Sequence, residues 1–380
     1  MRAGLATRLT GILAVPLLAG AVAGAAPAAA ARPGPRDPAP AVTGTGTFAT
    51  SLVGVAATSA TNAWAVGSWA SSPYTPYTLI MRWNGTSWKQ VPSPDPDGGG
   101  GLGGVAATSA RNAWAVGDAG TNGTFKALIL RWNGTAWKQA PSPSITGGGL
   151  DGVAATSASN AWAVGSYQTD DDAPNRILME RWNGRSWKVV TGPFFGKPGL
   201  LYGVAATSAS NAWAVGALGS IGTGGALILR WNGTTWKRVP SPALPAGSSL
   251  GGVAATSASN AWAVGSTGSG PGSGPLILQW NGTTWKRVPS PALPADSGLS
   301  GVAATSAHSA WAVGSVIEQW NGTVWKIVWK ESGAPEGELN GVAAISAGDA
   351  WAAGRGGGDL SAQILRWNGT SWKSSWRAHA

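Results

Sequence analysis

Residues 52–67 read LVGVAATSATNAWAVG, and residues 79–88 read LIMRWNGTSW. Both strings recur along the whole chain. The motif G-V-A-A-[TI]-S-A begins at Gly54, Gly104, Gly152, Gly203, Gly252, Gly301 and Gly341, at offsets of 50, 48, 51, 49, 49 and 40. Each copy continues to A-W-A-[VA]-G, with Trp64, Trp114, Trp162, Trp213, Trp262, Trp311 and Trp351, and then to W-N-G-x-x-W-K. Three tryptophans in each of seven copies account for 21 of the 24, leaving Trp69, Trp329 and Trp376.

One copy reads as four short strands: A, Leu52 to Thr58; B, Ala63 to Gly67; C, Leu79 to Trp83; D, Trp88 to Val91. Gly, Pro, Asn and Ser bound each run. The A–B connection ends in Asn, Ser or Asp, which bond their own backbone in turns. The C–D connection carries Asn-Gly, a strong hairpin signal. Four antiparallel strands at a period of 40–50 residues describe a propeller blade. The expected fold is therefore all-β, a seven-bladed β-propeller over residues 48–380. A stacked solenoid needs polar capping repeats, and the end copies here match the middle ones. Thr45 to Thr50 is the one candidate for an extra N-terminal strand completing the last blade.

The chain has 380 residues, with 58 Gly, 25 Pro, no Cys and two His, and 11% of it is charged. The absence of cysteine excludes disulfides, thiolate metal sites and thiol nucleophiles. No metal, cofactor or catalytic residue is expected. Residues 1–31 read as a secretory signal peptide: Arg2 and Arg8 precede an apolar run from Leu9, and Ala28-Ala29-Ala30 offers a cleavage site. An uncleaved anchor is the competing reading of that segment. Residues 32–47 read as a Pro/Gly-rich linker. No later stretch is apolar enough for a transmembrane segment, so the mature protein is expected to be secreted and monomeric. The formal charge is +10, and +8 without the two leader arginines. The repeat spreads these positives evenly, whereas nucleic-acid binding needs a concentrated patch, so no nucleic acid is expected.

Within strand B, Trp64 and Val66 share one face and Ala63 and Ala65 the other. A bulky face of one blade then meets a small face of the next, and each buried Trp removes roughly 150–250 Å² from water. Sevenfold repetition suits a core rather than a site. Asn-Gly-Thr follows the strand C Trp in six copies and forms formal glycosylation sequons, but the turn accounts for it, and Asn183-Gly184-Arg185 keeps the turn without the threonine. The lysines after the last Trp (Lys89, Lys138, Lys188, Lys237, Lys286, Lys326, Lys373) fall on the outermost strand, where they discourage edge pairing.

From Leu52 to Trp376 the repeat resembles exported actinobacterial propeller-repeat proteins, most of them without an assigned activity. The Ala/Gly/Pro bias fits such a source. More distantly the blade is similar to kelch and galactose-oxidase propellers, tectonin-type lectin propellers, and the Asp-box propellers of sialidases and photosystem assembly factors. The departures are specific. Trp-Ala-Val-Gly has one glycine where kelch blades carry a pair, Asn84 stands directly before Gly85 where an Asp-box has an aspartate two before its glycine, and no cysteine exists for a galactose-oxidase cofactor. The resemblance implies a fold and leaves the ligand unassigned.

Antiparallel order puts the A–B and C–D turns on one face of the disc and the variable B–C and D–A loops on the other. Binding residues favour variable loops on a rigid scaffold. Three copies break the pattern there. Copy one has Trp69, Tyr74 and Tyr77; copy three has Tyr167, Asp170, Asp171 and Asp172, then Phe194 and Phe195; copy six has Trp329. These are the candidate ligand-binding residues. Aromatic faces with polar neighbours suit a cell-wall or extracellular glycan, or a protein segment. The repeat does not require Trp69, Tyr74, Tyr167 or Phe194, so these are expected to contribute most to binding, and truncation of Trp69 or Tyr167 is expected to weaken binding and spare stability. The expected function is non-catalytic binding. The alternative, an extracellular polysaccharide hydrolase or lyase, needs a carboxylate pair at reaction distance, drawn from Asp170, Asp171, Asp172, Glu331, Glu336, Glu338 and Asp359.

Overall fold

The alternation within Ala-Trp-Ala-Val-Gly makes one face of strand B bulky and the other small, and the blades stack by that difference. The computed structural model describes residues 49–70, 76–96, 98–120, 125–143, 145–170, 173–220, 222–268, 272–294, 296–330, 337–357 and 361–378. The leader and linker readings lie outside these residues. Seven four-stranded antiparallel sheets follow one another, each in chain order, and no helix occurs among the described residues. Blade one comprises Ala49–Ser59, Asn62–Ala70, Pro76–Trp83 and Trp88–Gln90. The other six occupy 100–139, 148–189, 199–238, 249–287, 299–330 and 338–377. No helix of the described residues is long and apolar enough to cross a membrane.

Strand A is innermost, and neighbouring A strands touch all round the ring, the last against the first. Their approach is close. A Cβ added to Gly104, Gly152, Gly203, Gly252, Gly301 or Gly341 would lie 2.6–2.9 Å from a carbonyl oxygen of the next blade. The ring closes by contact alone. Asn340 Nδ2 donates to Leu52 O at 3.1 Å, and the Trp351 ring lies 5.0 and 5.1 Å from those of Trp83 and Trp88. Of the stretch Thr45–Thr50 expected to add a strand to the last blade, Ala49 and Thr50 are among the described residues, and they pair with Ala70 and Trp69, lengthening blade one's own inner strand. Blade seven already holds four strands of its own.

The seven strand B tryptophans are fully buried, each at 0% exposure. Trp64 packs between Trp132 and Trp137 of blade two, at 4.9 Å tilted and 5.1 Å edge-on, over Ala113 and Ala115. The same triad recurs at every junction. Tilted and edge-on contacts match the ring quadrupoles better than face-to-face stacking. Strand C and D tryptophans pair directly across each hairpin, as Trp83 with Trp88. Trp162→Ala is expected to lower stability by about 3–5 kcal/mol, as for other buried large-to-small changes. Lys237→Ala, on an exposed strand D, should change it by no more than about 0.5 kcal/mol. Denaturant midpoints check both, and equal midpoints would show that the indole does not hold the blades together.

Candidate functional site

The A–B and C–D turns form one end of the disc, and a repeating framework occupies it. Asn84 Oδ1 accepts from Thr86 N, Thr86 Oγ1 and Ser87 N at 2.9–3.0 Å. Gly85 beside it has φ +102°, which favours glycine. The threonine of Asn-Gly-Thr is thus a turn-closing hydroxyl. The strand C indole donates to the A–B turn, as Trp83 Nε1 to Ala60 O at 3.0 Å. Arg82, Arg131, Arg181, Arg230 and Arg366 each lie over their own strand B Trp and the next blade's strand C Trp, at 4.7–5.5 Å. Arg181 and Arg230 also donate to Ala209 O and Ala258 O of the following blades at 3.1 Å. In blades five and six Gln279 and Gln319 replace the arginine. The residues of this end are consumed by joining blade to blade.

The opposite end carries the variation, and the structure divides the expected site residues. Tyr74, Asp171 and Asp172 lie outside the described residues. Trp69 is not in a loop: it ends strand B of blade one, stacks on Tyr77 at 4.9 Å, and is 7% exposed in the core shared by blades seven and one. Tyr77 is half-buried against the same core. Truncating Trp69 would therefore leave a cavity, contrary to the expectation that its loss spares stability. Tyr167 ends strand B of blade three and packs on the blade two–three core. Trp329 likewise stands in a strand, the long strand D Trp325–Lys330, opposite Ile317 and against the blade six–seven core. Phe195 packs on the blade three–four core under Arg238, 5.8 Å away. Only Phe194, 81% exposed, and Asp170, also exposed, stand open at the surface. No three of His, Asp and Glu stand close enough to hold a metal ion among the described residues.

A second set of residues at this end escaped the sequence reading. In every blade strand A shifts register between the Leu and the Gly of Leu-x-Gly-Val, and in six blades it shifts again beside the A–B turn. A bulge re-aims a side chain. The residue that the first shift frees is half-buried on the innermost strand, beside the axis of the ring, and leans toward the next blade's inner strand: a Cβ on Gly103 or Gly251 would meet Asp151 O or Ser300 O at 3.0 Å. It is also the most variable letter of the motif: Val53, Gly103, Asp151, Tyr202, Gly251, Ser300 and Asn340. That variability inside an otherwise constant string was the available signal. Asp151 and Tyr202 stand side by side from blades three and four. Burial, then the charge of Asp151, pushes the Tyr202 phenol up to about 12, so it remains a hydrogen-bond donor across the physiological range. Toward the loops, Ser300 Oγ donates to Glu338 Oε1 at 3.5 Å. Together these residues give the axial mouth hydroxyl, amide and carboxylate groups.

Two further carboxyls, Glu180 and Glu318, are 0% exposed. They replace the Leu or Met that strand C carries in the other blades, such as Leu130 and Met81. Ser142 Oγ donates to Glu180 at 3.1 Å and Ser290 Oγ to Glu318 Oε1 at 2.7 Å, each from the Pro-Ser-Pro segment of the preceding blade. Burial pushes both carboxyls up to about 7, and the serine bonds oppose that only in part. They sit in blade junctions on the rim side of the disc.

The chain is thus a seven-bladed β-propeller whose one variable end surrounds a polar axial mouth. No protein-family profile matches it, and no curated protein does. Among solved structures it is similar to YCF48 from Cyanidioschyzon merolae, at 16% identity and a TM-score of 0.53, over 83% of this chain and 95% of that one. It is also similar to a GH74 xyloglucanase from Xanthomonas campestris, at 14% identity and a TM-score of 0.57, over 89% of this chain and 56% of that one. Likeness at this level establishes the fold.

Two titrations follow. The folded chain binds more protons than the unfolded chain between about pH 4.5 and 7, because Glu180 and Glu318 are raised in the fold. Stability should therefore fall as pH rises through that window, by on the order of 3 kcal/mol for each carboxyl. Glu318→Leu should raise the melting temperature at pH 8 and change it little at pH 4.5, and an equal effect at both values would contradict the buried-carboxyl account. In an absorbance titration, one tyrosine should ionise near pH 12, and Tyr202→Phe should remove that step. Asp151→Asn should bring its midpoint down part of the way toward 10, since burial is the larger cause.

Proposed function

We propose that this protein is a secreted, non-catalytic propeller that binds a glycan or protein ligand at its variable end. The binding surface comprises the axial mouth, with Asp151, Tyr202, Ser300, Glu338 and Asn340, and the exposed loop aromatic Phe194. One observation carries this reading. The strings that join blades recur closely in all seven copies, whereas the bulged strand A position and the loops at this end depart from the repeat in accessible polar and aromatic residues. Selection for packing alone has no use for six residue types among seven copies of one bulged position. Half-buried hydroxyl, amide and carboxylate groups at the end of a rigid ring are the donors and acceptors that fix a sugar hydroxyl or a peptide group. Tyr77 and Tyr167 add half-buried rings beneath the same loops. The two carboxyls with raised pKa, where an acid catalyst would be sought, instead occupy leucine positions in blade junctions.

A glycan array, with pull-down from cell-wall fractions by residues 32–380, identifies the ligand class. Asp151→Asn, Tyr202→Phe and Phe194→Ala should each weaken capture, by roughly 1–2 kcal/mol for a lost contact, while the melting temperature at neutral pH holds for Phe194→Ala. Capture unaffected by all three, or release of reducing ends from a polysaccharide by the wild type, would overturn the reading.

A further inference from the structure

The outer rim departs from the repeat in one place, remote from the variable end. Between blades five and six lies a groove of about 510 Å³. Pro289, Ser290 and Pro291 form one wall, and Val324 and Ile327 the other. The Ser290 hydroxyl is tied to buried Glu318 at 2.7 Å, which pins the proline wall in place. Val324 and Ile327 are 48% and 40% exposed. Blade five carries Thr284 and Arg287 at these positions, and blade seven Ser371 and Ser374. Only in blade six are both aliphatic.

The same blade has an unusual edge. Strand D of blades one to five is three residues long, whereas Trp325–Lys330 has six. It stands last in its sheet, and among the described residues no strand pairs with its outer side. Blade seven matches the length, with Trp372–Arg377, but presents Ser374 and Ser375 there. A long edge strand with exposed aliphatic side chains is a template for another strand. Natural sheets blunt such edges; blades one to five do so by shortness as well as by a lysine, whereas blade six keeps the lysine, Lys326, on a strand twice as long. Lys326 is the charged residue that lines the groove, and no acidic residue lines it. A second copy of this chain would bring its own Lys326 against this one, which disfavours self-pairing.

We propose that blade six binds an extended acidic polypeptide segment as a fifth strand. Alternate apolar side chains of that segment lie on Val324 and Ile327, and its carboxylates face Lys326. Main-chain hydrogen bonds supply affinity, and the groove and the lysine supply selection, as in other strand-addition complexes.

The test uses a fluorescein-labelled octapeptide of alternating valine and glutamate, followed by anisotropy against the full chain. The comparison variant is V324T/I327R, which restores blade five's own residues to blade six and so suits the fold. Binding should weaken at least about tenfold in this variant, equivalent to 1.4 kcal/mol, although the variant is one charge more positive. Loose electrostatic attraction would strengthen instead, and that result overturns the proposal. A valine–lysine octapeptide, and a valine–glutamate peptide N-methylated at alternate residues, should both bind at least about tenfold more weakly than the parent. Equal binding by either would remove the charge or the strand-pairing part of the claim and overturn it. Sedimentation that shows a wild-type dimer and a V324T/I327R monomer would assign the edge to a second copy and overturn it as well.

Discussion

The inner strands of this ring come so close that a carbon atom has no room at the centre. Beside each of six glycines, a carbonyl oxygen of the next blade stands where a methyl group would be crowded to under 3 Å. Gly54, at the seventh junction, meets Gly104 Cα at 3.2 Å. A second glycine, the last of Trp-Ala-Val-Gly, lies against strand A within each blade, so that any side chain there would overlap a carbonyl such as Ser51 O. These two circles of glycine set the radius of the ring. The bulge between them follows from the same crowding, since it lets strand A hold its pairing while passing Gly67 and its counterparts.

A sheet that is narrow at the axis must be wide at the rim, and the tryptophan triads fill that widening. Alanines and glycines occupy the inner strand, alanine and valine accompany Trp in strand B, and strands C and D each add an indole. The cost is that strand B and strand D indole nitrogens have no oxygen or nitrogen acceptor. Edge-on contact with a neighbouring indole, as between Trp64 and Trp137, suits the ring quadrupoles and offsets part of that cost. Closure then requires no shared strand. The junction between blades seven and one has the same triad as the other six, with Arg366 over Trp351 and Trp83.

The fold was legible because one physical demand repeats seven times, and the strings that answer it therefore repeat too. Strand count, blade number, the shared face of Trp83 and Trp88, and the turn role of Asn84 followed from the letters. Individual residues near the loops were less legible. Trp69 and Trp329 fall after the last constant residue of a strand, and the strands run on past the constant string. Nothing in the alternation of letters marks where a ladder stops pairing, so both read as loop aromatics although both pack in cores. Asp151 and Tyr202 were missed for the opposite reason. They sit within a string that reads as uniform core, and only the bulge, a matter of backbone geometry, turns them out of it.

Near-identity of the repeats also separates two kinds of departure. Glu180 and Glu318 break the pattern inward: each occupies a leucine position and takes a serine hydroxyl from the preceding blade. One oxygen of Glu318 still has no partner. A buried carboxyl in a leucine's place weakens a junction that the other blades make from hydrocarbon, and a raised pKa limits the loss by keeping the group neutral below about pH 7. Val324 and Ile327 break the pattern outward, on the blade that contains Glu318 and beside the serine that holds it. Both departures at blade six thus bear on one seam of the ring. Aliphatic surface on a long edge strand gives the folded monomer nothing, because its gain from burial arises only when something covers it. A ring that could have copied blade five at this seam, and did not, has its odd blade shaped by an interaction outside the chain.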